Sequence, residues 1–164
     1  MSIVHLHLLL NHLPVVGAFL GIALLAFALL RRNSEMGKFA FGLFALLAAV
    51  AVTVYFTGEP AEELVERLPG FSDAITERHE ELAQLATIAM FGSGVLGLAA
   101  LAVFRRRPLP RWVSAAGLVI ALGIGGLMGA TANLGGQIRH TEIRPGGLAG
   151  AGERAEQEEA EHRP

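Results

Sequence analysis

The chain contains no cysteine. That absence removes disulfides, iron–sulfur clusters and thiolate metal sites together. It also removes cysteine usage as a guide to compartment, so location has to be read from topology. A second absence is local: residues 6–30, 39–57, 82–104 and 113–134 contain no Lys, Arg, Asp or Glu. A third concerns charge of one sign. The formal net charge is −2 over 164 residues, which leaves no basic field suited to nucleic acid. Nothing resembles a nucleophile with its base, a phosphate-cradling loop or an HExxH motif, which argues against a hydrolase or an ATPase.

What remains is apolar and blocked. Hydrophobic residues make up 52% of the chain, and they gather in the four uncharged stretches. Each is about 19–25 residues long, enough as helix to cross a hydrocarbon core of about 30 Å. In lipid a backbone amide finds its partner only within its own segment, so stretches of this length read as helices. The expectation is an all-α integral membrane four-helix bundle over residues 1–144, followed by a disordered acidic tail over 145–164 that is rich in Gly, Ala and Glu. A cleaved leader needs a positive start. Here the basic pair Arg31-Arg32 follows the first block instead, so that block reads as a retained span.

Charge then orders the links. Arg31, Arg32 and Lys38 face a single Glu35 between the first two spans, and Arg105, Arg106, Arg107 and Arg111 lie between the last two with no acid. The positive-inside rule makes both links cytoplasmic and both termini external, in an N-out/C-out arrangement. Fourteen of the fifteen acidic residues then fall in the outer link, 58–81, and after the fourth span, at Glu142 and in the tail. All six histidines lie on or near that same face: His5, His7, His12, His79, His140 and His162.

This outer end carries the candidate chemistry. His12 lies inside the first span ahead of Pro14, and on a continuous helix it shares a face with His5, while His7 points elsewhere. After Thr57-Gly58, Pro60 suits the first turn of a short outer helix on which Glu59 and Glu63 stand one turn apart. Ser72 suits the N-cap of a helix running through Arg78, His79 and Glu80 into the third span, with His79 on a stripe with Ala83, Ala86, Met90, Ser93 and Gly97. In the fourth span Gly126, Gly129, Asn133, Gly136 and His140 form another stripe, where small residues permit close approach of a helix or a flat cofactor. Imidazoles and carboxylates from facing helices suit a transition-metal ion such as zinc, iron or copper, with His7, His12, Glu59, Glu63, His79, Glu80 and His140 as candidate ligands. The alternative is haem b, with His12, His79, His140 and Asn133 around the iron and Arg78 and Arg139 toward its propionates. Plainer readings stand beside these. His5 and His7 also suit headgroup level, His162 a solvated tail, Glu62, Glu66, Asp73 and Glu77 a solvated acidic face, and the glycine stripe ordinary packing.

His7-x-x-x-x-His12-Leu13-Pro14, Thr57-Gly58-Glu59-Pro60-Ala61-Glu62, His79-Glu80, and Leu134-Gly135-Gly136 with nearby His140 resemble features of a family of small four-span bacterial membrane proteins. That resemblance covers most of the chain up to about Arg144. More distantly, the chain also resembles a membrane domain of unknown function with paired N-terminal histidines. It departs from that domain in its Gly-Glu-Pro-Ala-Glu segment and in a shorter gap between Gly136 and His140. The resemblance implies a fold and a bacterial origin, and it carries no established activity; with the four spans, the expected location is the bacterial inner membrane. Two functional expectations follow. One is a cofactor-holding redox or electron-transfer subunit that meets a periplasmic electron carrier. The other is a non-catalytic subunit of a larger membrane complex, docking a basic partner on its acidic outer surface. Quinone binding at the same depth is a third.

Overall fold

The structure is a computed structural model that describes residues 2–67 and 69–146. The expected disordered tail, beyond its first two residues, and His162 lie outside the described residues. Among the described residues the secondary structure is entirely helical. In chain order the elements are α1 (Ile3–Leu10), α2 (His12–Arg31), α3 (Ser34–Phe56), α4 (Gly58–Val65), α5 (Asp73–Val103), α6 (Arg111–Arg139) and a 3-10 turn (Thr141–Ile143). Four stretches are long and apolar enough to cross a membrane: Ile3–Arg31, Ser34–Phe56, Asp73–Val103 and Arg111–Arg139. The chain is a multi-pass membrane protein.

The distribution of side-chain size supports that statement. Alanine is the most frequent buried hydrophobic residue, at Ala18, Ala28, Ala40, Ala48, Ala51, Ala86 and Ala121, and among the described residues the large side chains buried to completeness are Leu25 and Met90. Bulky apolar groups point outward instead, among them Leu30, Ile88 and Val119. A water-soluble bundle would hide the large groups, whereas lipid is as apolar as leucine and leaves close packing of small residues to hold the helices together. Trp112 at the start of α6 and Tyr55 at the end of α3 are exposed at opposite ends of the bundle, where aromatic residues meet the two interfaces.

The helices form a square. α2 packs on α3, α3 on α5, α5 on α6 and α6 on α2, so α2 and α5 occupy one diagonal. The tightest side is α3 against α5. A Cβ at Gly97 would stand 2.8 Å from the Phe41 carbonyl oxygen, and one at Gly94 would stand 2.5 Å from the Ala48 Cβ. The inward stripe of α6 runs through Ser114, Ala121, Ile124, Gly125 and Met128. The Gly126 stripe expected from sequence is displaced from it: Gly126 meets nothing within 4 Å, and Asn133 and His140 are exposed.

One end of the square is closed by the two basic links. Asn33 caps α3, its Oδ1 accepting from the backbone N–H groups of Glu35 and Met36. The α5–α6 link folds back onto it, so that the Leu109 N–H donates to Ser34 Oγ at 2.6 Å and the Leu109 side chain is buried. The opposite, acidic end is built from α1, α4, the first turns of α5 and the last of α6. Helix α5 has 31 residues and, at about 1.5 Å per residue, exceeds the hydrocarbon thickness. Its charged first turns stand beyond the uncharged run. Ser72 is its N-cap residue, as expected, but the hydroxyl makes no capping hydrogen bond.

Candidate functional site

Pro14 lacks an N–H, and the helix of the first span is interrupted between Leu10 and His12. This divides the span into α1 and α2 at Asn11. The stripe that begins at His7 and Asn11 continues inward through Pro14, Ala18, Gly21 and Leu25, all buried. His7 is therefore turned into the bundle, while His5 and His12 are exposed.

The His7 ring lies across the α3–α4 junction. Its Nδ1 is 3.1 Å from the Val54 carbonyl oxygen and 3.2 Å from Thr57 Oγ1. A carbonyl only accepts, so Nδ1 carries the hydrogen and Nε2 keeps its lone pair. Thr57 cannot compete for that role, because its hydroxyl donates to the same turn, 2.9 Å from the Val54 oxygen. The junction has a glycine where the ring arrives: a Cβ at Gly58 would be 3.7 Å from His7 Cε1.

His79, on α5, repeats this arrangement on the other side. Its Nδ1 donates to the Thr131 carbonyl oxygen of α6 at 3.0 Å, which again leaves Nε2 as the unprotonated nitrogen. The ring lies on Gly135, where a Cβ would approach Cε1 to 3.1 Å. Both imidazoles are half-buried. They come from α1, the N-terminal part of the first span, and from α5. Among the described residues neither Nε2 has a protein hydrogen-bond partner. Asn11, one turn from His7 on the same stripe, has a buried Oδ1 that is also without a partner.

Above His79 sits a carboxyl pair. Glu62 of α4 faces Glu80 of α5, and its carboxyl is pushed up to about 7. The largest cause is proton sharing with Glu80; partial burial and the charges of Glu80, Glu66 and Glu59 add to it.

The other sequence candidates lie apart from this arrangement. Glu59, Glu63, Arg78, Arg139 and Asn133 are exposed, and Asn133 Oδ1 accepts from Gln137 Nε2. His140 is exposed beyond the end of α6 and bonds through Nδ1 to Glu142 at 2.9 Å. The Glu142 carboxyl is held below the ordinary range by its own backbone N–H and by His140. Arg144 donates to the carbonyls of Gln137 and Ile138 and so closes the C-terminus of α6.

No protein-family model, curated protein or solved structure matches this chain. The site therefore rests on its own geometry. Among the described residues no three of His, Asp and Glu gather into a group able to hold a metal ion. Asn11, Thr57, Val54 and Thr131 were not singled out in the sequence. For Asn11 the available signal was its place four residues after His7, an amide inside an otherwise apolar block. Carbonyl tethers such as Val54 and Thr131 leave no signal in side-chain type.

Proposed function

We propose that the protein is a bacterial inner-membrane cofactor holder, N-out and C-out, that takes a haem b iron between His7 and His79 near its outer face and passes electrons. The observation that carries this reading is the pair of half-buried imidazoles on α1 and α5, each tethered through Nδ1 to a main-chain carbonyl of a neighbouring helix. Such a tether fixes the tautomer, orients the ring and raises the basicity of the nitrogen left free.

Ligand number favours haem over a bare ion. Protein zinc sites ask for three or four protein ligands, and this site offers two imidazoles. Haem b would need only the two imidazoles of His7 and His79 from the chain to hold it, and it would supply one-electron chemistry. The chain supplies ring orientation through Val54 and Thr131, and Gly58 and Gly135 leave room for the two rings. One observation favours a hydrated transition-metal ion instead: the unpartnered Asn11 Oδ1 is an acceptor for a metal-bound water or a direct oxygen ligand.

Absorption spectroscopy with metal analysis of protein purified after haem-supplemented expression tests the reading. A Soret band that disappears in both His7→Ala and His79→Ala is the expected result. Stoichiometric metal without a Soret band selects the bare ion. Protein with neither overturns cofactor binding and favours the accessory-subunit reading, with α4 as the docking face.

A further inference from the structure

The basic end of the bundle contains a groove that the proposed site does not use. Ser34, Glu35 and Lys38 of α3 form one wall, and Arg105, Arg106, Arg107 and Pro108 of the α5–α6 link form the other. The two walls are fixed to each other by the Leu109 N–H bond to Ser34 Oγ and by the Leu109 side chain, which lodges beside Gly37 and Ser114. Four cationic groups line the groove against one acid. Glu35 is bound to Lys38 at 2.9 Å, yet it is the exposed member of that pair, and the Lys38 side chain is mostly covered. The three arginines are exposed, and none is in an ion pair among the described residues.

We infer that this groove binds the phosphate headgroup of an anionic phospholipid from the adjoining leaflet. Charge selects an anion. Position selects a lipid over a soluble phosphate. Lys38 directly precedes the uncharged run of α3, and Arg105 directly follows that of α5, so the groove lies at the boundary of the apolar slab. Large apolar side chains are exposed just inside that boundary, Phe39 beside Lys38 and Val103 two residues before Arg105. A ligand with a phosphate and an acyl chain meets both surfaces, whereas a free phosphate or nucleotide meets only one. An excess negative charge distinguishes such a lipid from a zwitterionic one, and basic residues at the membrane surface contribute about fivefold each to that preference. Guanidinium groups add planar, two-point contact with phosphate oxygens.

The chain carries its own probe. Trp112 is its single tryptophan, exposed at the same end, one residue after Arg111. The protein is reconstituted in phosphatidylcholine vesicles containing equal mole fractions of either brominated phosphatidylglycerol or brominated phosphatidylcholine, and quenching of Trp112 is read. The expected result is stronger quenching by the anionic lipid. That preference falls by up to about fivefold in each of Arg105→Gln, Arg106→Gln, Arg107→Gln and Lys38→Gln, single changes that keep the remaining basic residues for membrane insertion. Arg31→Gln, at the same end but outside the groove, leaves it unchanged. Equal quenching by the two lipids overturns the inference. So does a loss in Arg31→Gln as large as in the groove variants, which would mean a diffuse field without a binding groove. Removal of the preference by inorganic phosphate at constant ionic strength would assign the groove to a soluble anion and overturn it as well.

Discussion

At the scale of single residues, the acidic end is organised by groups that are held without being fully used. His7 and His79 each commit one nitrogen to a carbonyl and leave the other free, and Asn11 buries an acceptor with no donor. A buried unmatched acceptor costs about 1–3 kcal/mol, which is tolerated where it serves binding. In the Glu62–Glu80 pair, proximity shifts a proton strongly. Glu62 moves from an ordinary 4.5 to about 7, so between these values the folded chain binds more protons than the unfolded chain. Stability therefore falls as pH rises through that window, and the deficit persists above it. Solvent reaches Glu62 and screens the effect. The thermal midpoint in detergent should drop between pH 5 and pH 8 in the wild type, and Glu62→Gln should flatten that drop. An identical pH profile in the two proteins would remove Glu62 as its source.

At the scale of elements, the bundle depends on which glycines face which helix. Gly97 lets α5 approach the Phe41 carbonyl of α3, a backbone atom that cannot turn aside. Gly97→Ala should force the helices apart and destabilise the protein by about 1–3 kcal/mol, as overpacking does elsewhere. Gly126→Ala, with open space around it, should be neutral or slightly stabilising, because alanine is the better helix former. Thermal unfolding of the two variants side by side in one detergent checks the contrast; equal losses would mean that the α3–α5 contact is looser than described. The same pair shows what was legible in the sequence. Uncharged block length was enough to find four spans, because lipid penalises every unpaired charge. The His79 stripe was legible too, since Ala86, Met90 and Gly97 follow it at helical spacing and are buried. The facing stripe of α6 was not, because that helix is small and apolar on several sides, and small residues alone do not say which side is inward. The inward turn of His7 was equally hidden, since its partners are a main-chain carbonyl and a threonine that already serves its own helix.

At the scale of the whole molecule, the two ends of the square are chemically opposite. The basic end is short-linked, clamped by Leu109 and Ser34, and rimmed by arginine; the acidic end is longer, with α4 and the first turns of α5 rising beyond the apolar run. A translocation machinery retains clustered Arg and Lys on the cytoplasmic side far more strongly than it sorts acids. Six arginines and one lysine lie in the two links, against a single glutamate. The proposed N-out, C-out orientation would put the imidazole pair near the outer face, within reach of a partner on that side. The chain is suited to a direct test, because without native cysteine every introduced thiol is unique. Glu66→Cys, exposed after α4, should react with a membrane-impermeant maleimide in intact cells. Glu35→Cys, exposed at the basic end, should react only after the membrane is opened. Removing Glu35 deletes the one acid of the first link, so this substitution reinforces the charge asymmetry it reports on. The reverse labelling pattern would put the histidines on the cytoplasmic side and require an electron partner there.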